Sequence, residues 1–223
     1  IGLWYTHGSV SHNLRIAEKI THQIFTASPE SCNVPSKKII VTGHGIDQDF
    51  FSPDPSVQQL DGLSLITVGR IAPVKDLMFL LEVVKRLKEE IAEKVTFTIV
   101  GAATNQQDQE YQNRLKNFVR DNNLEAEVNF VGGQTQVETR DLMRAHKVFV
   151  HASETGSLDK VLLEAMSAGL SVVSTSGSAP QHILKDINVF AEALLSVRKE
   201  NQPKVHEHAL QTLIPSIVNV YTV

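Results

Sequence analysis

The sequence lacks several features that would assign a protein class at once. Its single cysteine, Cys32, excludes an internal disulfide framework and a cysteine-rich zinc site, and it fits a reducing cytosol. No apolar run is long enough to span a bilayer, and no charged segment followed by an apolar one marks a signal peptide. Neither a G-x-G-x-x-G after a strand nor a G-x-x-x-x-G-K-[ST] occurs, so neither a dinucleotide fingerprint nor a P-loop supports a cofactor or NTP hydrolysis. The nine histidines lack the H-x-x-x-H spacing of a helical metal site, and we expect no metal.

An excess of positive charge is also missing. The chain has 21 Lys and Arg against 25 Asp and Glu, a net charge of -4. Non-specific nucleic-acid binding usually needs a basic face, so we expect no nucleic-acid partner and favour small or neutral ligands. The 223 residues, 42% of them hydrophobic, are enough for a sizeable buried core. The chain opens without methionine in the apolar segment IGLWYTH, and we interpret it as a fragment whose upstream part is missing.

What the sequence does contain is a regular alternation of strand-like and helix-like segments after residue 62. Strands are predicted at 63–68, 95–100, 128–131, 147–151 and 171–174. Helices are predicted at 76–90, 107–122, 135–145, 158–168 and 189–198, followed by a helical segment at 204–221 that Pro215 would kink. Successive units of this kind predict an α/β fold, with a parallel sheet, right-handed crossovers and covering helices.

The part of the chain before residue 46 has a shorter pattern. A strand is predicted at 1–7, an amphipathic helix from residue 12, strands at 24–26 and 38–42, and a loop between Pro29 and Pro35. Gly, Asp and Pro then interrupt the periodicity between residues 43 and 55. We therefore predict four parts: a partial domain at 1–45, a linker at 46–60, a complete domain at 61–200 and a terminal helix at 201–223.

The loop after the first strand of the alternation carries two cations. Because open parallel sheets bind ligands at the carboxyl ends of their strands, each such loop is a candidate site. Here Gly69 makes the turn, and Arg70 and Lys75 surround it just before a helix. Arginine can hold phosphate oxygens through its planar fork, and lysine adds a point charge. A single cation is ordinarily a solvated surface residue, but two at the positive end of a helix are unfavourable without an anion, which favours an anion site.

Glycines follow the next two strands directly. Gly101 ends one strand, and Gly132 and Gly133 end another, with Gln134 after them. Glycine lets a backbone approach a ligand closely, and plain turn residues would explain the same pattern equally well.

The fourth loop opens a helix that carries one acid among apolar residues. Gly156 and Ser157 precede this helix, so its backbone N–H groups and positive end favour an anion. Glu164, about two turns into the helix, could accept hydrogen bonds from a ribose diol or be an exposed residue of an amphipathic helix. Asp159 and Lys160 could cap the helix or pair locally without any ligand.

Taken in order, the segments VGRIAPVKD, NFVGG and VLLEAMSAGLSVVST, with the linker GHGIDQDFFSP, resemble the carboxyl-terminal domain of family 4 glycosyltransferases, the retaining GT-B enzymes. The segment WYTHGSVSHNLRIAEKITHQIFTAS is similar to the end of their first, acceptor-side domain. The resemblance implies a truncated acceptor-side domain at 1–45, an interdomain linker at 46–60, a Rossmann-like donor domain at 61–200, and a helix at 201–223 that returns toward the first domain.

The resemblance also implies an activity and a set of roles. A sugar would pass from a UDP- or GDP-sugar to a glycan, lipid-linked or small-molecule acceptor with retention of anomeric configuration. Arg70 and Lys75 would act as catalytic cations on the diphosphate, Glu164 would bind the ribose, and no metal or other cofactor would be needed. The implied donor-binding set is Gly69, Gly132, Gly133, Gln134, Gly156, Ser157, Leu158 and Glu164. The expected location is the cytoplasm, with peripheral contact at the inner membrane face through the missing domain.

The sequence departs from the family pattern at one acid. The family commonly has two glutamates separated by seven residues, and counting back from Glu164 reaches Gly156. Glu154 and Asp159 are the candidates for a moved carboxylate. The alternatives are a non-catalytic nucleotide- or sugar-binding module with the same fold, and a GT-B epimerase or phosphorylase. The fragment alone is expected to be inactive, because the first domain supplies most of the acceptor site.

Overall fold

Two parallel β-sheets, of three and five strands, organise the chain in a computed structural model that describes residues 1–153, 159–177, 179 and 182–197. The strands are β1 Gly2–Trp4, β2 Gln23–Thr26, β3 Ile39–Val41, β4 Leu63–Val68, β5 Val95–Val100, β6 Val128–Gly132, β7 Val148–His151 and β8 Ser171–Ser174. The helices are α1 His12–Ile20, α2 Leu77–Glu90, α3 Gln106–Asp121, α4 Gln136–Ala145, α5 Lys160–Ser167 and α6 Ile187–Ser196.

The smaller sheet has the order β1-β2-β3 and is covered by α1. Ser11 caps α1, because its Oγ accepts a hydrogen bond from the Leu14 N–H at 3.2 Å. The buried side chains of Leu14 and Ile24 form a small apolar cluster with Cys32 and Val34. The predicted helix and strands of this part are confirmed, although β1 and β3 are shorter than their apolar runs.

The larger sheet has the order β6-β5-β4-β7-β8, with every neighbouring pair parallel. Apolar side chains cover both of its faces, as the near-continuous apolar strands require. On one face, strand residues such as Leu65 and Phe97 pack with α2, α3 and α6. On the other face, Ile66 and Phe149 pack with α4 and α5. This arrangement confirms the predicted α/β fold.

The segment predicted as a linker packs against the larger sheet. Ile46 and Phe51 are fully buried in the same apolar cluster as Ile66 and Phe149. Arg144 on α4 donates from Nε to the Ser52 carbonyl oxygen at 2.8 Å. Residues 46–60 are therefore irregular in backbone, as predicted. They are attached to the part of the chain that forms the larger sheet by these side chains and by a hydrogen bond from the Leu60 N–H to the Ala145 carbonyl oxygen at 2.8 Å. The division into an acceptor-side remnant and a donor domain stays a prediction.

Most predicted element boundaries agree with the structure to within two residues. β4, β5 and β8 have the predicted bounds. Helix α5 begins at Lys160 rather than at residue 158, which itself lies outside the described residues. The predicted helical segment at 204–221, with its kink at residue 215, also lies outside them. Among the residues that the structure does describe, no helix has the length and apolar character needed to cross a membrane.

Candidate anion-binding site

The larger sheet has a topological switch point beside its central strand. β4 pairs with β5 on one side and with β7 on the other. The chain goes from β4 to β5 but from β7 to β8, so the connections that leave these two neighbouring strands run in opposite directions. In open α/β sheets, ligands bind in the crevice that this reversal leaves at the carboxyl ends of the strands. The loops after β4 and β7 border this crevice. The first loop carries Arg70 and Lys75, and the second carries Asp159.

Glycines hold the loops after β4, β5 and β6 in direct contact. The Gly101 N–H donates to the Gly132 carbonyl oxygen at 2.8 Å. Gly101 has φ 140, and a Cβ at this position would lie 1.9 Å from the Gly69 carbonyl oxygen, so no other residue fits without moving the backbone. Gly132 has φ 75, but a Cβ there would meet no atom of the described residues within 4 Å. The sequence predicted close approach at these glycines, and at Gly101 the approach is between two loops of the protein itself.

The side chain of Gln134 is used within its own loop. Its Nε2 donates to the Val131 carbonyl oxygen at 2.8 Å, which holds the turn after β6. A Cβ on the neighbouring Gly133 would come no closer than 3.9 Å to Ala102 on the loop after β5. The predicted loop residues after β5 and β6 are thus brought together at one edge of the sheet.

Lys75 crosses the switch point to an acid on the opposite loop. It ends a short 3-10 turn, Pro73–Lys75, and its Nζ donates to Asp159 Oδ2 at 2.6 Å. Asp159 occupies the N-cap position of α5, yet its side chain makes no capping hydrogen bond. The interpretation that Asp159 could cap the helix is wrong, because its carboxylate turns away from α5, and its contact with Lys75 is to a distant part of the chain. Lys160 does pair locally, with Glu164 at 3.3 Å.

His151 holds the same acid from below. It is the last residue of β7, only 4% of its side chain is exposed, and its Nε2 lies 2.7 Å from Asp159 Oδ2. Its Nδ1 lies 3.0 Å from Ser174 Oγ at the end of β8. His151 was not among the site residues predicted from the sequence. The sequence nevertheless contained a signal for it. His151 ends an apolar strand of a parallel sheet, and such strand ends lie at the edge where ligands bind.

The two contacts keep the Asp159 carboxylate ionised. Burial raises its pKa, but the hydrogen bonds from His151 and Lys75 and the charge of Lys75 more than offset burial and lower the pKa to about 2. An ionised carboxylate can only accept hydrogen bonds, so His151 Nε2 carries the proton and donates it. Asp159 is therefore an anion that the protein itself places at the switch point.

Arg70 also has an acidic partner, but a more distant one. Its Nη1 lies 3.7 Å from Asp108 Oδ2, and about half of the Arg70 side chain is exposed. Asp108 is buried near the start of α3, where its Oδ2 accepts from Thr104 Oγ1 at 2.9 Å and from Asn105 Nδ2 at 3.0 Å. Its carboxylate thus already has partners without Arg70. Both cations of the loop after β4 have protein carboxylates as partners. Our expectation that only a bound ligand would supply an anion to them therefore needs correction.

The remaining predicted site residues are on or before α5. Glu164 is the fifth residue of this helix, just over one turn from its start rather than about two. Its side chain is 15% exposed and its carboxylate contacts Lys160, so it is not the freely exposed residue of the alternative interpretation. Glu154, Gly156, Ser157 and Leu158 lie outside the described residues. Among the residues described, no cluster of three or more His, Cys, Asp or Glu side chains could hold a metal ion.

Two cavities lie at opposite edges of the larger sheet. The one at the carboxyl edge has a volume of about 10 Å³ and is lined by Gly69, Arg70, Lys75 and His151, among others. The other, of about 390 Å³, is at the amino edge, beside Leu63 and Val148. Size alone would favour the amino edge, but the paired charges and glycine turns are at the carboxyl edge, where α/β sheets bind ligands. We place the candidate site there, where Lys75 and Asp159 contact each other across the crevice.

Comparisons with known proteins identify the fold and the family. Among solved structures, the chain is similar to Anabaena Alr3699/HepE in complex with UDP and glucose, with a TM-score of 0.79 and 16% identity over 99% of this chain and 71% of that one. It is also similar to the C-terminal domain of the group 1 glycosyl transferase LpcC from Francisella tularensis, with a TM-score of 0.59 and 20% identity over 80% of this chain and 100% of that one. The chain has the GT-B type of α/β fold.

Curated relatives share more sequence over a smaller part of their length. The phosphatidylinositol N-acetylglucosaminyltransferase gpi3 subunit of Schizosaccharomyces pombe is 30% identical over 156 residues, which cover 70% of this chain and 33% of that protein. The putative colanic acid biosynthesis glycosyltransferase WcaL of Escherichia coli is 29% identical over 147 residues, 63% of this chain and 34% of that protein. The chain thus spans about a third of the length of these relatives. The sequence profile of the glycosyl transferases group 1 family matches residues 51–208, and this chain belongs to that family.

Proposed function

We propose that this chain is the donor-binding part of an enzyme that transfers a sugar from a nucleotide-sugar to an acceptor with retention of anomeric configuration. The observation that carries the proposal is the position of Arg70 and Lys75 at the switch point, beside the glycine turns after β4, β5 and β6. Folds of this kind bind ligands at this crevice. The two cations on the loop after β4 border it, and they suit the negative charge of a nucleoside diphosphate.

The two cations would have different tasks on the diphosphate. Lys75 has three N–H donors, and among the described residues Asp159 takes one, so two others would be available to phosphate oxygens. Arg70 is about half exposed and lies 3.7 Å from Asp108, so its fork can turn toward a ligand at low cost. When the bond between sugar and diphosphate breaks, charge builds up on the leaving phosphate. Cations already fixed there stabilise that transition state as well as the bound donor.

Recognition of the nucleoside follows from the family resemblance. We propose that Glu164 binds the ribose hydroxyls and that the backbone of Gly132, Gly133 and Gln134 lies beside the base. Since Lys160 contacts the Glu164 carboxylate, the ribose would have to share or replace that contact. Gly69, Gly156, Ser157 and Leu158 would complete the donor site with backbone groups. Because Arg70 and Lys75 supply positive charge, no metal is required in this scheme.

The donor and acceptor classes are proposed from the relatives. The HepE structure contains UDP and glucose, which favours a UDP-sugar as the first donor to test, with a GDP-sugar as the alternative. The names of the relatives give phosphatidylinositol in one case and colanic acid biosynthesis in another. The proposed acceptor is therefore a glycan, a lipid-linked sugar or a small molecule. Peripheral contact with the inner membrane face belongs to the lipid-linked case.

Calorimetry of the full-length protein with UDP and with GDP tests the proposal. We expect one of the two to bind, and Arg70→Ala and Lys75→Ala each to weaken its affinity by roughly tenfold, as losing a charged contact with phosphate does. Arg120→Ala is a matched control, because Arg120 is an exposed arginine paired with its neighbour Asp121. Absence of binding to both nucleotides, or unchanged affinity in both variants, would contradict the proposal.

A non-catalytic binding module with the same fold is the second candidate. It is favoured by Gly156 at the position where the family has a glutamate, and by the engagement of Asp159 with Lys75 and His151. A protein that includes an acceptor domain would distinguish the two. Sugar transfer that disappears in Glu164→Ala would reject the binding module, and analysis of the products would separate transfer from epimerase or phosphorylase activity.

A further inference from the structure

A continuous set of contacts connects the end of β8 to the ammonium of Lys75. We call it the His151 relay, and it consists of Ser176 N–H, Ser174, His151, Asp159 and Lys75. Its four contacts measure 3.0 Å from Ser176 N to Ser174 Oγ, 3.0 Å from Ser174 Oγ to His151 Nδ1, 2.7 Å from His151 Nε2 to Asp159 Oδ2, and 2.6 Å from Asp159 Oδ2 to Lys75 Nζ. The relay joins the carboxyl ends of β7 and β8 to the loop after β4.

The ionised Asp159 sets the direction of the hydrogen bonds along the relay. The ionised Asp159 accepts from Lys75 and from His151 Nε2. When the imidazole carries one proton, on Nε2, its Nδ1 accepts a hydrogen bond from the Ser174 hydroxyl. The Ser174 oxygen in turn accepts from the Ser176 N–H. The imidazole is thus held by a hydrogen bond on each ring nitrogen, which fixes both its orientation and its tautomer.

Burial decreases outward along the relay. The His151 side chain is 4% exposed, and those of Asp159 and Lys75 are 21% and 22% exposed. The fixed end is therefore inside the protein and the ammonium is at the outer end, facing the crevice. Lysine loses more rotamer freedom on immobilisation than most residues, so a ligand that had to immobilise it would bind more weakly. Here the protein has already placed the ammonium before any ligand arrives.

We propose that His151 is a positioning residue that, through Asp159, holds the Lys75 ammonium where the diphosphate of the donor binds; the second half of this inference rests on the proposed function. His151 itself would not touch the donor. Its effect on donor binding would depend on Lys75. An effect of His151 on folding alone would not depend on Lys75.

The contact chain can be tested without any nucleotide, through the chemical reactivity of Lys75. Acylating reagents need an accessible amine nitrogen, and a hydrogen bond from that nitrogen to a carboxylate restricts access to it. With trace acetic anhydride and mass spectrometry on the full chain, we expect labelling of Lys75 to rise roughly fivefold in Asp159→Asn, which breaks the partly exposed ion pair. We expect a similar rise in His151→Leu, because Asp159 then loses the contact that holds it beside Lys75. In His151→Gln, whose Nε2 can still donate to Asp159, labelling should stay near the wild-type rate.

Lys88 is the internal control for the same measurement. It is paired with Glu127 at 3.0 Å, outside the relay, so its labelling should not respond to any of these variants. Unchanged Lys75 labelling in a folded His151→Leu protein would overturn the proposal. If His151→Leu does not fold, Ser174→Ala replaces it, because it removes only the hydroxyl that orients the imidazole. Labelling of Lys75 should then rise roughly twofold, and an unchanged rate would overturn the proposal equally.

A double-mutant cycle on UDP binding tests the connection to the donor. We expect His151→Leu to weaken UDP affinity roughly fivefold in the wild-type background and to have no further effect in a Lys75→Met background. Equal weakening in both backgrounds would show that His151 acts independently of Lys75 and would overturn the relay. If the wild type binds neither UDP nor GDP, the proposed function and the role in donor binding both fail, whereas the labelling still reports whether His151 controls Lys75.

Discussion

The two sides of the switch point are held together in different ways. On the side of β4, β5 and β6, backbone contacts between glycine loops fix the geometry, and Arg70 is only loosely attached to Asp108. On the side of β7 and α5, side-chain charges fix the geometry, through contacts of 2.6 and 2.7 Å to Asp159. The first side should respond to changes in shape, and the second to changes in pH and charge.

The largest effect is expected where a side chain is added between the glycine loops. In Gly101→Ala the new Cβ would lie 1.9 Å from the Gly69 carbonyl oxygen, and backbone atoms cannot move aside cheaply. We expect a loss of about 3 kcal/mol in the free energy of unfolding, measured by urea denaturation. Gly132→Ala is the matched control. It has φ 75 but no crowding from the described residues, so about 1 kcal/mol is expected. Similar losses in both variants would contradict the shape argument.

Removal of the buried acid on the same side should have the next largest effect. Asp108→Ala removes the charged acceptor of the Thr104 hydroxyl and the Asn105 amide, and hydrogen bonds to a charged group contribute about 2 kcal/mol. Asp108→Asn retains one acceptor oxygen and should lose less stability in the same urea titration. Equal stability of Asp108→Ala and the wild type would show that this side does not depend on the hydrogen bonds of Asp108.

The acid on the other side should show a pH dependence. The folded pKa of Asp159 is lowered to about 2 from a usual 3.8, so its contribution is present above the usual pKa and is lost as the pH falls through the folded one. We expect Asp159→Asn to be less stable than the wild type by about 1 to 2 kcal/mol at pH 6, with the difference closing between pH 4 and pH 2. Asp121→Asn, in an exposed pair with Arg120, should show no such closing difference. A pH-independent difference for Asp159→Asn would reject the charge argument.

The smallest effect is expected from the helix-surface pair on α5. Lys160 contacts Glu164 four residues later, and about half of its side chain is exposed. Such pairs contribute about 0.3 to 0.5 kcal/mol, so Lys160→Ala should change the free energy of unfolding by no more than that. A larger loss would mean that Glu164 depends on Lys160 for its position, and the charge-held side would then extend along α5.

The fold could be predicted well from the sequence, because buried elements leave a regular pattern of apolar residues. β4 and β5 are buried on both faces, so they occur as uninterrupted apolar runs whose ends are visible in the sequence. The glycine turns and the two cations were found for a similar reason, since they follow those runs directly. Gly101 was recognised as a position of close approach, although its neighbour is another loop rather than a ligand.

The partners of the cations could not be predicted in the same way. Lys75 and Asp159 are separated by 84 positions, and only the return of the chain on the other side of β4 brings them together. From the sequence, Asp159 could only be assigned as a cap or local partner at the start of the helix, or as a moved carboxylate, because residues at a helix start commonly do this. Sequence spacing describes neighbours along one element, and contacts across a switch point depend on the order of the strands.

The burial of Ile46 and Phe51 determines where the chain can bend between its two sheets. Thr42 is still bound to the smaller sheet, through its N–H and the Thr26 carbonyl oxygen at 2.9 Å, and Ile46 is fully buried against the larger one. Between these two attachments lie residues 43–45, and Gly43 has φ 79. A change of two or three backbone angles in this short segment would reorient one sheet against the other while leaving both cores and the Lys75 contact intact.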